Sequence, residues 1–80
     1  MARFTRKEVH DEVIDILRGI KGAPVDIDES YSLTNVSDVV GEAEKRFNTF
    51  FVEGFEKVNT VGDFINVVVD VLKTEGRLEI

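Results

Sequence analysis

The fold is decided by the stretch from Glu44 to Leu72, which reads EKRFNTFFVEGFEKVNTVGDFINVVVDVL. In its final part, Thr60 and Asp63 have the spacing of a capping box that opens a helix. Apolar residues then recur at helical spacing, namely Val61, Phe64, Ile65, Val68, Val71 and Leu72. The β-branched run Val67–Val69 would also suit a strand. Because the cap is good and the pattern is longer than a typical strand, we predict a helix that stops near Gly76.

The residues before this helix predict a shorter helix followed by an aromatic turn. Ser37 is the expected N-cap, and Asp38 in the first turn suits the positive end of the helix dipole. This helix should end near Asn48. Its apolar face consists of Val39, Val40, Ala43 and Phe47. The segment Phe50–Phe55 is expected to form a single helical turn that inserts its aromatic side chains into the core.

The N-terminal part of the chain predicts another amphipathic helix, which begins after a capping box formed by Thr5 and Glu8. Its apolar face consists of Val9, Val13, Leu17 and Ile20, with Ile14 and Ile16 beside it. Nearby Gly and Pro residues indicate an end near residue 20. Residues 21–36 then form a long connection whose spaced apolar residues suggest a loop lying over the core. At the other end of the chain, Arg77–Ile80 is expected to be a frayed tail.

The composition describes one small acidic domain covering residues 1–80. An apolar share of 42% in 80 residues is enough for one helical core and not for a second domain. The net charge of −6 repels phosphate backbones, so nucleic-acid binding is disfavoured. The same charge favours basic patches on other proteins, although acidity also simply keeps a small domain in solution. No apolar run approaches the ~20 residues of a membrane span.

The residue types present exclude several kinds of chemistry and suggest a location. The chain has no cysteine, which suits a reducing cytosol or organelle matrix, and Met1–Phe4 lacks the apolar core of a signal peptide. We expect a cytoplasmic protein, and we also expect it to be a monomer. His10 is the only histidine, which leaves no zinc site and no Cys–His pair. The acidic run Asp26–Ser30 begins like a calcium loop, but Tyr31 and Ser37 stand where an EF-hand needs glycine and glutamate. We therefore expect no metal site and no catalytic group, and hence no enzyme.

The chain from Glu44 onward resembles the acyl carrier protein family. In that family the second helix ends in an acidic run closed by phenylalanine, similar to Glu44-Lys45-Arg46-Phe47. A short third helix leads into a Glu-Lys-x-x-Thr-Val pattern, matched here by Glu56-Lys57-Val58-Asn59-Thr60-Val61. The loop Ile27–Leu33 also looks similar to the family. The resemblance implies an all-α bundle of three main helices plus one short helix. It also implies a role in fatty acid biosynthesis or another part of lipid metabolism.

The resemblance further implies a prosthetic group, 4'-phosphopantetheine, carried on a serine. The family has Asp-Ser-Leu at the start of its second helix, and this chain has no Asp-Ser-Leu. Ser37 keeps the position at the start of the helix and requires a helix shortened by about one turn. Ser32 keeps the Ser-Leu pair and requires most of the preceding loop to be lost. Ser37 is the favoured attachment residue, Ser32 is the alternative, and a plain N-cap role for Ser37 remains open.

Two functions follow from the resemblance. The first is a specialised acyl carrier protein that holds acyl groups as thioesters and presents them to partner enzymes. The acidic side chains of the second helix, Asp38, Glu42 and Glu44, would then bind basic patches on acyl-processing or transferase enzymes. Lys45 and Arg46 interrupt this acidic surface. The alternative is a degenerate carrier-like helical domain that has no prosthetic group and acts as a protein-interaction adaptor.

Overall fold

The computed structural model describes residues 3–22, 27–33, 36–51, 55 and 57–78, which form three α-helices. Helix α1 spans Arg6–Lys21, α2 spans Ser37–Phe47 and α3 spans Val61–Thr74. Because α1 packs against both other helices, the described chain is a small helical bundle. This part of the chain contains two isolated β-bridges and no strand. The predicted all-helical fold is confirmed, including the helical state of the β-branched run in α3.

The core is built from the faces that the apolar spacing predicts. From α1 it takes Val9, Val13, Ile16 and Leu17; from α2, Val39, Ala43 and Phe47; and from α3, Val61, Phe64, Ile65, Val68 and Leu72. Leu33 of the connecting loop closes over this core and is 5% exposed. Ile20 was expected on the apolar face of α1, but it is exposed because it lies in the last turn, at the edge of the bundle.

Both predicted capping boxes are present. The Thr5 hydroxyl accepts from the Glu8 N–H at 3.1 Å, and Glu8 Oε1 accepts from the Thr5 N–H at 3.0 Å. At α3, the Thr60 hydroxyl accepts from the Asp63 N–H at 3.2 Å, and Asp63 Oδ2 accepts from the Thr60 N–H at 3.3 Å. Each box satisfies helix-end amides that have no partner inside the helix.

The loop residues 27–33 lie against the N-terminus of α3. The Val61 N–H donates to Tyr31 O at 2.9 Å, and the Gly62 N–H donates to Glu29 O at 2.8 Å. Gly62 keeps this approach free of crowding, because a Cβ at residue 62 would lie 3.1 Å from Glu29 O and 3.2 Å from Glu29 Cβ and would press on the loop. The expectation of a loop packed over the core is confirmed for these residues.

An arginine of α1 also holds this loop against α3. The two guanidinium nitrogens of Arg6 each donate to a Glu29 carboxylate oxygen at 3.0 Å. One of them also donates to Asn66 Oδ1 of α3 at 3.2 Å. Arg6 therefore connects α1, the loop and α3 through a forked contact that suits a planar guanidinium.

The aromatic residues after α2 do not all enter the core. Phe51 is buried at 7% exposure, and its ring meets that of Phe55 edge-on, with centroids 5.2 Å apart. Phe50 was also expected in the core, but 83% of it is exposed. The cause is Asn48, whose left-handed backbone (φ 52°) ends α2 and turns the chain, so that Phe51 faces inward and Phe50 outward. Of the helical turn predicted for Phe50–Phe55, residues 52–54 lie outside the described residues.

The expected frayed tail is wrong for residues 77 and 78. The Arg77 N–H donates to Leu72 O, and the Phe4 N–H donates to Arg77 O, both at 2.8 Å. Phe4 and Leu78 form a parallel bridge, so this segment lies beside the residues that precede α1. Residues 79–80 lie outside the described part of the chain.

The Arg77 side chain gives this segment a second anchor. Its guanidinium donates to Phe47 O at 2.6 Å and to Asn48 O at 3.2 Å. These carbonyls are at the C-terminus of α2, where a cation is favourable because the helix dipole is negative there. The segment after α3 therefore stabilises the end of α2.

Candidate functional site

Ser37 is the first residue of α2 and is exposed to solvent. The structure corrects its predicted role as N-cap, which belongs to Val36 (φ −82°, ψ 0°), and no side chain of the described residues caps this helix. An N-cap side chain reaches back to the helix amides from an extended backbone, whereas the chain enters α2 with Val36 already in the helical region. The Ser37 hydroxyl is therefore not engaged in capping.

At the N-terminus of α2, two backbone amides have no acceptor among the residues that the structure describes, which do not include residues 34–35. The Val40 N–H donates to Val36 O at 2.7 Å, and the Val39 N–H donates to Asp38 Oδ1 at 2.9 Å. No acceptor within the described residues contacts the N–H of Ser37 or Asp38. Open amides at the positive end of a helix dipole are the usual protein environment for a phosphate oxygen.

Lys21, from the end of α1, lies beside this N-terminus. Its Nζ is 3.1 Å from Asp38 Oδ1. The hydrogen bond from Lys21, ahead of the one from the Val39 N–H, holds the pKa of Asp38 below its ordinary value. Asp38 therefore remains a carboxylate, and the first turn of α2 carries a paired anion and cation next to the serine.

An open groove runs along α2 from this turn to the residues that follow the helix. We call it the α2 groove; it has a volume of about 560 Å³ and is lined by Asp38, Gly41, Glu42, Glu44, Lys45, Asn48, Thr49 and Phe50. The three acids that the sequence suggested as partner-binding residues all line it. The structure therefore brings them together on one surface.

The carboxylates of the groove also make contacts within the chain. Glu44 Oε2 accepts from the Phe51 N–H at 3.0 Å. Glu42 Oε2 is 3.5 Å from Arg46 Nε, while Arg46 Nη1 lies 2.6 Å from Asp15 and 3.2 Å from Glu12 of α1. Arg46 therefore faces α1 among three carboxylates, and α2 keeps an acidic surface although two cations interrupt its sequence.

Ser32, the alternative attachment residue, lies elsewhere. It forms an isolated antiparallel bridge with Thr60, before α3, and the next residue, Leu33, is buried in the core. Ser32 is exposed but is not at the start of a helix. Of the two serines, only Ser37 adjoins the α2 groove and the open amides.

The described residues contain no group of three His, Cys, Asp or Glu side chains that could hold a metal ion. His10 is half-buried on α1, with Nδ1 3.3 Å from Asp11 Oδ1. The predicted calcium-like run includes Asp26, which is outside the described residues. Its Asp28 Oδ1 accepts from the Ser30 N–H at 2.9 Å, as in a local turn.

The sequence reasoning missed several residues of the groove: Gly41, Lys45, Asn48, Thr49 and Phe50. One signal was available for some of them, because residues 38, 42, 45 and 49 follow the spacing of a single helix face. Phe50 gave no such signal, since a phenylalanine among aromatic neighbours is most simply assigned to the core.

Comparison of the chain with protein-family models, with curated proteins and with solved structures found no match in any of the three. Among the described residues, no helix has the length and apolar character needed to cross a membrane.

Proposed function

We propose that this chain is a specialised carrier protein that holds acyl groups as thioesters on a phosphopantetheine arm attached to Ser37. The observation that carries the proposal is the α2 N-terminus: an exposed Ser37 hydroxyl beside two amides for which the described residues provide no acceptor. The proposal includes the short fourth helix between α2 and α3 that the family resemblance implies. It also includes a cytoplasmic, monomeric protein.

The residues around Ser37 fit a phosphodiester. The amides of the first turn provide donors for its oxygens, and the helix dipole favours its negative charge. Lys21 Nζ, which binds Asp38 at 3.1 Å, adds a cation at the same turn. When attached, the arm would supply the thiol that forms the thioester, and the side chains of this chain would supply no catalytic group.

The acidic α2 surface would present the cargo to enzymes. Asp38, Glu42 and Glu44 line one groove, so a basic patch on an acyl-processing or transferase enzyme meets them together. Charge complementarity of this kind raises the rate of encounter and orients the partner more than it adds affinity. Ser37 begins the helix that carries these acids, which would bring a docked enzyme close to the arm.

A second function is favoured by a separate observation. The chain lacks Asp-Ser-Leu, and the α2 groove ends at a highly exposed phenylalanine, Phe50. An exposed aromatic beside a groove suits protein binding without any prosthetic group. The second candidate is therefore a carrier-like adaptor that binds partners through α2 alone.

Intact-mass measurement separates the two functions. The purified chain is incubated with coenzyme A and a broad-specificity phosphopantetheinyl transferase. The carrier function predicts a mass gain of one phosphopantetheine in the unmodified sequence and in the Ser32→Ala variant, and no gain in Ser37→Ala. If the Ser32→Ala variant shows no mass gain, the arm is attached to Ser32 and not to Ser37. An unchanged mass in all three proteins would contradict the carrier function and leave the adaptor.

A further inference from the structure

Three segments that lie far apart in the sequence meet at one end of the bundle. They are residues 3–4 before α1, residues 48–51 after α2 and residues 75–78 after α3. The Phe4 N–H donates to Arg77 O at 2.8 Å, which joins the first segment to the third. The Phe4 ring also meets the ring of Phe47, the last residue of α2, edge-on with centroids 5.1 Å apart. All three segments lie outside the helices, so their order depends on contacts such as these.

The Arg77 guanidinium is the point where the three segments connect. It donates to Phe47 O at 2.6 Å and to Asn48 O at 3.2 Å. It also lies 5.6 Å from the centre of the Phe4 ring, within the range of a cation–π contact. Because the side chain is only 17% exposed, solvent screens these contacts less than it screens surface pairs. Loss of the guanidinium would therefore loosen the segments before α1 and after α2 together.

Glu75 and Thr49 form a second connection between the turn after α2 and the segment after α3. The Thr49 hydroxyl donates to Glu75 Oε2, while Glu75 Oε1 accepts from Arg77 at 3.2 Å. Thr49 is the one buried polar residue among the described residues. A buried hydroxyl without a partner costs free energy, so moving the segment after α3 away would also destabilise the position of Thr49.

These contacts hold a turn whose backbone is left-handed at Asn48 (φ 52°). Residues other than glycine retain this conformation where their surroundings hold them, and the Arg77 guanidinium binds the Asn48 carbonyl. Beyond it, the Thr49 N–H donates to Glu44 O at 3.1 Å, and the Phe51 N–H donates to Glu44 Oε2 at 3.0 Å. The inward position of Phe51 therefore depends on a turn to which the segment after α3 contributes directly.

We infer that these three segments form a latch that opens and closes as one unit, separately from the helical core. Arg77 provides its closing contact. Opening the latch releases the left-handed turn, and with it the orientation of the residues that follow α2. The turn also lines one end of the α2 groove through Asn48, Thr49 and Phe50, so the latch determines the shape of that end. The inference does not depend on the proposed function, since it involves neither a prosthetic group nor a partner.

Amide hydrogen exchange of the folded chain tests the latch. Four amides report on it, those of Phe4, Thr49, Phe51 and Arg77. Residues that open as one unit exchange with one common opening free energy, and a unit separate from the core opens at a lower free energy than the whole chain. The four amides should therefore share one opening free energy, below that of amides in the middle of α1 and α3. Four unrelated opening free energies would overturn the inference.

Arg77→Met removes the closing contact. It leaves two carbonyls and a carboxylate without a charged donor, so the Phe4, Thr49 and Phe51 amides should exchange faster by one common factor of at least about ten. Lys73→Met is the matched control, because it removes the same charge from an exposed side chain in the last turn of α3. It should leave these rates unchanged. Faster exchange of the Phe4 amide alone in Arg77→Met, or an equal gain in Lys73→Met, would overturn the inference.

Thr49→Val breaks the network from the other side, by removing the hydroxyl that binds Glu75. If the latch is one unit, the Phe4 amide should exchange faster by the same factor as the Phe51 amide, although the two lie in different segments. A change confined to the Thr49 and Phe51 amides would mean that the contacts open independently, which contradicts a single latch.

Ile16→Val tests whether the latch is separate from the core. Ile16 is buried in α1, and loss of its methyl group destabilises the folded chain relative to the unfolded chain. The open latch keeps this core contact, so amides in the middle of α1 and α3 should exchange about fivefold faster while the four latch amides keep their rates. Equal acceleration of both groups would mean that the latch opens only when the whole chain unfolds, and the inference would be wrong.

Discussion

The N-termini of α3 and α2 are built in opposite ways. At α3, the first three amides all have acceptors: Tyr31 O, Glu29 O and the Thr60 hydroxyl. At α2, the described residues provide neither a side-chain cap nor an acceptor for the first two amides. The comparison indicates that the fold holds α3 from its first turn, whereas the described residues provide no such contacts for the first two amides of α2.

The largest expected effect contrasts one phenylalanine from each region. Phe64 of α3 is fully buried, so Phe64→Ala should lower the free energy of unfolding by about 3–5 kcal/mol. Phe50 beside α2 is 83% exposed, so Phe50→Ala should change it by less than about 0.5 kcal/mol. Urea unfolding followed by circular dichroism measures both. A large loss in Phe50→Ala would mean that its ring is covered in solution.

The next effect compares two glycines, Gly62 of α3 and Gly41 of α2. A Cβ at Gly62 would press against Glu29, so Gly62→Ala should lower the free energy of unfolding by about 1 kcal/mol despite the better helix propensity of alanine. A Cβ at Gly41 meets nothing within 4 Å, so Gly41→Ala should raise it by about 0.5–1 kcal/mol. Thermal unfolding of the two variants shows whether each substitution raises or lowers the stability of the fold. Shifts in the same direction would contradict the tight approach of the loop to α3.

A smaller effect tests the caps themselves. Thr60→Ala removes the hydroxyl that accepts from the Asp63 N–H and should lower the free energy of unfolding by about 1 kcal/mol. Ser37→Ala removes a hydroxyl that caps nothing and should change it by less than about 0.5 kcal/mol. Urea midpoints distinguish the two cases. Equal losses would restore Ser37 as the N-cap of α2.

The smallest effect concerns pH and the contact that holds the loop on α3. The hydrogen bonds from Arg6 lower the pKa of Glu29 from its ordinary value of 4.5. A carboxyl group whose pKa is lower in the folded chain stabilises that chain at pH values above the ordinary pKa. This stabilisation is lost as the pH falls through the lowered pKa of the folded chain. Glu29→Gln should therefore lose less stability than the unmodified chain between about pH 6 and pH 3. Unfolding midpoints at the two pH values measure the difference.

Arg6→Met is the control for this pH effect. It removes the partner that lowers the pKa of Glu29, so it should reduce the acid-dependent loss by a similar amount. A full acid-dependent loss in both variants would assign the effect to other carboxylates.

The helices could be predicted because local signals define them. Thr5–Glu8 and Thr60–Asp63 are self-contained caps, and apolar spacing alone identifies the buried faces. The acidic surface of α2 could be predicted for the same reason, since Asp38 and Glu42 are one turn apart. What the sequence missed depends on contacts between distant residues.

Arg77 and Phe50 are the clearest cases of such contacts. Arg77 was assigned to a frayed tail, but it binds Phe47 O, thirty residues away in the chain. Phe50 was assigned to the core by its composition and neighbours, while the left-handed Asn48 determines which of the adjacent phenylalanines faces inward. The N-cap prediction for Ser37 failed because the backbone of Val36, rather than the serine, sets how the chain enters α2.

The bridge between Phe4 and Leu78 has a consequence for protein engineering. Because the Phe4 N–H binds Arg77 O at 2.8 Å, the chain enters and leaves the bundle at one corner. A domain with adjacent entry and exit points can be inserted into a surface loop of a host protein with short linkers. Polypeptide added before Phe4 and after Leu78 would start from this same corner.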